Sequence, residues 1–257
     1  MCSAVWAALW WRYFHEDPRH HPGITTAELT ALPAAEPGRE TASGPVPWRH
    51  LVPRMTPMMI GYFCQGWTGW LYVTWMPSLL SKNYGLDLKK SSWFYAGTLM
   101  CSMLAELLGG FVTDHLLRRT GSLQIACARL IAICWILAVA ALVPAILVHE
   151  FVIGMASFTL ALFFLGFAIS PIWTATMDIA PAYAGSASAL MNAAGAVAGI
   201  LSPLAFGWIL DQTGSWTAPF TVSLGLLLFG AVTTFWFRPD RPFEIAPGIT
   251  RLALVGE

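Results

Sequence analysis

The sequence predicts an all-α polytopic membrane protein of about six transmembrane helices, on three observations. Residues are 56% hydrophobic and 11% charged, against roughly 25% charged in ordinary soluble domains, and mean hydropathy is +0.61. Too few charges remain to solvate the outside of a 257-residue globule. Six windows, at about 55–81, 93–117, 123–148, 151–176, 183–210 and 216–237, are apolar over a span's length, since a hydrocarbon core roughly 30 Å thick needs roughly 20 helical residues. Finally, GGFVTDHLLRRTGS at 109–122 is partly repeated by GWILDQTGS at 207–215: Gly-x-x-x-Asp, then Thr-Gly-Ser.

Taken in order, residues 1–14 open with MCSAVWAALWW, apolar but too short to span. This stretch lacks the basic start and small-residue cleavage site of a signal peptide, so it reads as the tail of a longer helix. Residues 15–54 form a polar connector holding Pro18, Pro22, Pro33, Pro37, Pro45 and Pro47. That proline density predicts a loop, with a short helix around Thr26–Leu32. The bundle of spans runs from 55 to 238 and a tail from 239 to 257. Turn and charge signals such as Lys82-Asn83, Arg118-Arg119-Thr-Gly and Asp211-Gln-Thr-Gly bound the spans. A membrane barrel would need short alternating strands instead.

Orientation follows from the basic residues. With the connector inside, the inner face collects Arg12, Arg19, Arg39, Arg49, Arg54, Arg118, Arg119, Arg238, Arg241 and Arg251, and the outer face only Lys82, Lys89 and Lys90. Connector and C-terminus are therefore expected to be cytoplasmic, at the inner membrane of the cell. Asp114 and Asp211 then end the middle helices of two three-helix sets at opposite faces. Inverted three-plus-three repeats predict such an arrangement, and they build many secondary transporters.

Composition also excludes function classes. Net charge is zero, which gives no nucleic-acid surface. The five cysteines have neither paired nor metal-ligand spacing. No Gly-rich phosphate loop, HExxH or Ser/His/Asp set occurs, and His15, His20 and His21 occupy a polar loop. No enzyme, metal or cofactor is expected.

GGFVTDHLLRRTG resembles the Gly-x-x-x-Asp-x-x-x-Arg-Arg loop signature of the major facilitator superfamily. YFHEDPRHHPGITTAEL, YFCQGWTGWLYVTWMPSLL, IAPAYAGSASALMNAAGAVAGILSPLAFGWILDQTGSW and RPDRP resemble that superfamily's anion:cation symporter branch, the sugar-acid and phthalate permeases. The resemblance implies helices seven to twelve of a twelve-helix transporter, preceded by the end of a truncated sixth helix. It implies an organic anion (carboxylate, sugar acid or aromatic acid) as substrate and a coupling cation, H+ ahead of Na+. The family's amino-terminal half, which carries acids implicated in proton coupling and a basic residue that meets the anion, would be a separate partner.

Several residues are candidates for this chemistry. By resemblance Asp114, Arg118 and Arg119 form a charge latch between neighbouring helices, with Asp178 as a partner or a helix N-terminal anion; positive-inside anchoring is the plainer alternative. Gly185, Ser188, Asn192, Gly195, Gly199 and Ser202 recur at i+3 and i+4, a small-residue face that lets helices approach. The resemblance places Asn192 against substrate oxygens; interhelical bonding is the alternative. Ser170 precedes Pro171, where a lost N–H weakens the helix and can open a site; a bond back to its own helix is the alternative. Tyr62, Gln65 and Tyr72 share one face and could donate hydrogen bonds to an anion, although aromatic stripes also pack. Glu106 is an acid deep in a span, costing roughly 2.5–3.5 kcal/mol if charged and unpaired, so an ion pair with Arg129 or a proton site is expected. The leading reading is secondary active transport as one half of a transporter. Its rival is a truncated or accessory six-helix protein that transports nothing.

Overall fold

The computed structural model describes residues 2–15, 21–31, 45–85, 87–148, 150–241 and 243. Much of the predicted connector (16–20 and 32–44) and the predicted tail beyond 243 lie outside the described residues. The chain divides into two units, residues 1–40 and 41–257.

In the first unit α1 (Cys2–Tyr13) places Trp6, Trp10 and Phe14 on one side at i+4 spacing, with Trp10 and Phe14 stacked at 4.6 Å. α2 (Thr26–Ala31) forms close to the predicted place because Thr25 and Glu28 build a capping box. Glu28 accepts from the Thr25 amide at 2.9 Å and hydroxyl at 2.8 Å, while the Glu28 amide donates back to Thr25 Oγ1 at 3.3 Å. Those bonds hold the Glu28 carboxyl below its ordinary range.

The second unit is six long helices. They are α3 (Trp48–Tyr84), α4 (Leu88–Thr120), α5 (Leu130–Leu147), α6 (Phe151–Ile179), α7 (Ala184–Thr213) and α8 (Ala218–Thr233). A π-helical segment, Gln124–Arg129, leads into α5. The helices α4 to α8, with their short extensions, are long and apolar enough to cross a membrane. α3 is long enough, but its Gln, Gly, Trp and Tyr content keeps it less apolar, so five of the six predicted spans qualify on composition. α3 also begins at Trp48, inside the predicted connector, and tolerates Pro53 and Pro57. Leu51, Met55 and Met58, at i, i+4 and i+7, are almost fully buried there, and that burial outweighs the lost helical bonds.

The principal interfaces are α4 on α6 and α3 on α7, followed by α5 on α6, α3 on α8 and α5 on α8. Exchanging α3–α4–α5 with α6–α7–α8 converts the first interface into the second and α5/α6 into α3/α8. The predicted inverted repeat is thus present in the packing. Its direction is fixed by two sets of end contacts. At one end, Arg54 at the start of α3 donates to the Arg238 and Arg241 carbonyls beyond α8 at 2.5 and 2.6 Å. There also Asp240 accepts from Ser122 Oγ (2.8 Å) and the Gln124 amide (3.1 Å), and the Phe243 amide donates to the Ile179 carbonyl. At the other end Trp75 of α3 meets Trp216, which precedes α8, and the Lys82 ammonium lies 5.9 Å from the Trp216 ring. Asp114 therefore belongs to the first, arginine-bearing end and Asp211 to the second, lysine-bearing end.

The repeated Thr-Gly-Ser builds the same helix stop twice. Gly121 (φ 63°) and Gly214 (φ 64°) are left-handed, the conformation glycine enters without a Cβ penalty. Each donates its amide four residues back at 2.8 Å, to Leu117 and Leu210. Thr120 and Thr213 bond the carbonyls of Leu116 and Ile209 at 2.8 and 2.7 Å, and each threonine oxygen accepts the following serine's amide.

Candidate functional site

Two close helix approaches set the site. Between α4 and α6, a Cβ on Gly109 would lie 2.2 Å from the Phe167 carbonyl oxygen, and one on Gly166 would lie 2.5 Å from the Ser102 carbonyl oxygen. Only hydrogen fits at either place. Phe167 is four residues before Pro171, so the missing proline N–H frees this carbonyl, and α4 covers it at Gly109. That approach brings Ser170 Oγ within 2.8 Å of the Glu106 carbonyl oxygen, to which it donates. Ser170 thus bonds a neighbouring helix rather than its own, and it stays half-buried.

Between α3 and α7 the small-residue face seats aromatic rings. A Cβ on Gly195 would reach 2.7 Å from the Tyr62 ring, and one on Gly199 would reach 2.9 Å from the Trp70 indole. Ser202 Oγ donates to the Trp67 carbonyl at 2.7 Å. Gly195, Gly199 and Ser202 are therefore packing residues, whereas Gly185 faces open space. Asn192, one turn from Gly195, is exposed and hydrogen-bonds no described residue.

These approaches link three predicted residues from three helices, Tyr62, Glu106 and Ser170, and leave a fourth, Asn192, one turn from the α7 glycine that Tyr62 covers. Tyr62 of α3 is half-buried against Gly195 of α7, near enough to the exposed Glu106 of α4 for an electrostatic interaction. Ser170 of α6 bonds the backbone of Glu106, and Asn192 of α7 is exposed one turn before Gly195. Such an arrangement offers the Tyr62 hydroxyl and the Asn192 amide as donors plus one protonatable carboxyl. No Lys or Arg occurs between Arg54 and Lys82, or anywhere from Leu130 to Phe237, and those of α4 stand within a few residues of its two ends, so the middle of these helices carries no basic side chain.

Other predicted members belong elsewhere. Gln65 is 6% exposed and accepts from the Trp135 indole N–H at 2.6 Å, a bond to α5. Tyr72 is fully buried, its ring edge-on to Phe158 and Phe220. Both are core residues, which corrects their assignment to a substrate face. The predicted Glu106–Arg129 pair is absent among the described residues. At about 1.5 Å per residue Glu106 lies roughly 21 Å from the end of α4, while Arg129 lies roughly 8 Å into the antiparallel element, so their depths differ. α4 also packs chiefly on α6 rather than α5.

The latch residues are likewise redistributed. Asp114 and Arg118 approach at 3.9 Å within α4, with 66% and 82% of their side chains exposed; Arg119 is exposed too. An exposed i,i+4 pair contributes about 0.3–0.5 kcal/mol and bridges no helices. Asp178 is half-buried in the last turn of α6, close enough to the π segment to act electrostatically on Cys127. Among the described residues Arg54 and Asp240 make side-chain contacts between elements at that end. Sequence reasoning used Arg54 only for orientation and RPDRP only as a likeness; an acid between two Arg-Pro steps after the last span was the available signal.

Comparison with known proteins places this geometry. Residues 2–203 match the model of the Major Facilitator Superfamily. Over 98% of its length the chain is 34% identical to the "Probable sulfoacetate transporter SauU" of Cupriavidus necator, of which it covers 60%. Over 80% of its length it is 29% identical to the "Probable galactarate/D-glucarate transporter GudP" of Escherichia coli, of which it covers 48%. The chain thus spans about half to three-fifths of these relatives. Among solved structures, a bacterial homolog of the human lysosomal transporter Spinster, inward-facing and unoccupied, superposes on 94% of the chain and 58% of its own length. Its TM-score is 0.63 at 15% identity, a likeness of fold.

Proposed function

The chain belongs to the major facilitator superfamily, and from that premise we propose that it carries a small organic anion across the membrane as the carboxy-terminal six-helix lobe of a two-lobed transporter. The observation that carries this reading is the set of contacts joining three helices at Tyr62, Glu106 and Ser170, with the exposed Asn192 one turn from the glycine that Tyr62 covers. The relatives' named substrates, sulfoacetate and galactarate or D-glucarate, suggest a carboxylate rich in hydrogen-bond acceptors. Asn192 and Tyr62 supply donors without charge, while Ser170, whose proton goes to the Glu106 carbonyl, holds that turn of α4 in place. The basic partner comes from the complementary lobe, which covers the apolar faces that α4 and α7 leave exposed, including Met103, Leu107, Phe111, Ile200, Leu204 and Trp208.

Binding near mid-bilayer between two rocking lobes follows the logic of inverted-repeat transporters. Glu106 is the proton-accepting group in this lobe. A carboxylate in the bilayer interior is stabilised when protonated, so loading a proton with the anion lowers the charge that must cross. The arginine-bearing end is cytoplasmic by the excess of basic residues, in the inner membrane.

The test is uptake of labelled sulfoacetate and D-glucarate into proteoliposomes holding this chain together with a complementary six-helix lobe from a relative, with and without an inward proton gradient. Asn192→Ala should lower uptake about tenfold, as loss of one hydrogen bond to a charged group would, and Ser170→Ala, which loses only the bond to the Glu106 carbonyl, should lower it less. Glu106→Gln should remove the gradient dependence. Uptake matching empty vesicles for every anion tried would favour a six-helix protein without transport of its own.

A further inference from the structure

Three guanidinium groups are drawn together at the arginine-bearing end, away from the proposed substrate region. Arg54, half-buried in the second turn of α3, spends one nitrogen, Nη2, on the carbonyls of Arg238 and Arg241 at 2.5 and 2.6 Å. Its Nε and Nη1 donors are not used by those carbonyls. The clasp holds the two later arginines near enough that their charges act against that of Arg54. Phe237 and Pro239 are buried, with the Phe237 ring against Gly61 of α3, while Arg238 and Arg241 stay exposed. Asp240 lies between them in sequence but turns toward the start of α5, its two oxygens accepting from Ser122 Oγ and the Gln124 amide. Like charges gathered on one fixed segment attract an anion.

Depth and side point to its source. The last membrane-length segment ends at Trp236, where Phe235 and Trp236 are 78% and 58% exposed. Aromatic residues at the end of a span mark the headgroup level, so Arg238, two residues on, stands at the level of lipid phosphates. The side follows from the packing. α4 and α7 each pack on both α3 and α6, whereas α5 packs on α6, α8 packs on α3, and α5 and α8 pack on each other. α5 and α8 therefore form the side of the bundle across from α4 and α7, whose exposed faces the proposed function gives to the second lobe. On α8 the exposed residues Val222, Phe229, Val232 and Trp236 recur at i+7, i+10 and i+14, an apolar stripe turned to the bilayer.

We propose that Arg54, Arg238 and Arg241 bind the phosphate diester of one acidic phospholipid in the leaflet at that end, with its acyl chains along the α8 stripe. Arginine suits phosphate oxygens through directed, charge-assisted hydrogen bonds, and basic pockets at the cytoplasmic side of membrane proteins take anionic headgroups. A choline headgroup would bring a quaternary ammonium, and its like charge, up to the guanidiniums; phosphatidylglycerol brings none. The stripe holds acyl chains, which a free phosphate lacks. The placement of α8 against lipid rests on the two-lobe reading, but binding requires no transport.

The test titrates the purified full chain in neutral detergent with phosphatidylglycerol, phosphatidylcholine or inorganic phosphate, with bound molecules counted by native mass spectrometry. Phosphatidylglycerol should half-saturate at about tenfold lower concentration than phosphatidylcholine, the ratio one charge-assisted hydrogen bond provides. Brominated-chain phosphatidylglycerol should quench the share of fluorescence that Trp236→Phe removes. Arg238→Gln combined with Arg241→Gln keeps the backbone carbonyls that Arg54 clasps, so thermal unfolding should not change. That variant should raise the phosphatidylglycerol half-point about fivefold for each arginine lost, the usual worth of a basic residue at an acidic membrane surface. Arg118→Gln combined with Arg119→Gln removes equal charge from the same end and should leave the half-point as it is. Equal half-points for the two lipids in wild type would overturn the proposal. So would an equal rise in both arginine double variants, which would make the preference one of net charge, or a Trp236 share insensitive to the brominated chains. Displacement of phosphatidylglycerol by inorganic phosphate at matching concentration would overturn the lipid source. No uptake enters these measurements, so a chain that fails to transport still gives one of these results, and failure here leaves the uptake test standing.

Discussion

The α4/α6 and α3/α7 interfaces exchange under the internal repeat, yet glycine serves them differently. At α4/α6 the glycines meet main chain: Gly109 faces the Phe167 carbonyl and Gly166 the Ser102 carbonyl. At α3/α7 they meet rings: Gly195 faces Tyr62 and Gly199 faces Trp70. A carbonyl in a helix cannot move without moving the helix, whereas a ring can turn about its side-chain torsions. The first interface should behave as a rigid seam, the second as an adaptable one. The adaptable seam carries Tyr62 and borders Asn192; the rigid seam fixes Ser170 on Glu106. Half of the candidate region is thus held by backbone and half by side-chain packing.

Gly109→Ala tests the rigid seam and should have the largest effect. Overpacking against main chain should lower stability by about 3 kcal/mol, the upper part of the usual range, read by unfolding of the purified chain in detergent. A loss under about 1 kcal/mol would show that α4 and α6 can part, ending the distinction. Gly199→Ala should follow, at about 1 kcal/mol, because the Trp70 indole can shift by a few tenths of an ångström. A change in Trp fluorescence on this substitution, absent for Gly109→Ala, would sharpen the contrast between ring and carbonyl.

The two helix stops make a second comparison. Thr120-Gly121-Ser122 and Thr213-Gly214-Ser215 share every local bond, but their serine hydroxyls diverge. Ser122 reaches Asp240 beyond α8, while the Ser215 hydroxyl meets Thr217, two residues on. Identical local sequence therefore gives identical caps and unlike cross-links. Asp240→Asn should cost about 1 kcal/mol, one hydrogen bond's net worth, and should speed hydrogen exchange at the Gln124 amide without changing exchange at Ser215. Arg118→Gln, which breaks only the exposed pair with Asp114, should change stability by less than about 0.5 kcal/mol. A larger loss would restore a helix-bridging role to the arginines.

Much of the fold was legible because its signals are local or periodic. Long apolar runs, turn residues and the repeated stop predicted six helices, the two glycine stops and their inverted relation. α3 was the difficult element: aromatic and glycine content lowers its hydropathy, and its prolines imitate a loop. The candidate region was half legible. Tyr62, Gln65 and Tyr72 fall on one arc of α3, but at about 100° per residue Gln65 and Tyr72 lie about 20° apart and Tyr62 about 60–80° from them. That turn separates a ring lying on Gly195 from an amide bonded to Trp135 and a tyrosine enclosed by phenylalanines. No periodicity reveals the difference, since other helices pack around α3 on several sides. Glu106 and Arg129 failed as a pair for a related reason, because charge alone carries neither depth nor neighbour.

By itself the sequence determined that this chain is a helical membrane protein of the superfamily's repeat architecture, with the same Thr-Gly-Ser stop after α4 and α7. Hydropathy, glycine's access to positive φ and the i+4 bond are properties of residues and their near neighbours, and a chain carries them before it folds. Only the tertiary structure decided which polar groups remain available, which are spent on another helix, and that Arg54 and Asp240 rather than Arg118 tie the ends together. Those outcomes depend on which helix lies alongside which, and at what depth. Contacts between residues far apart in sequence set both.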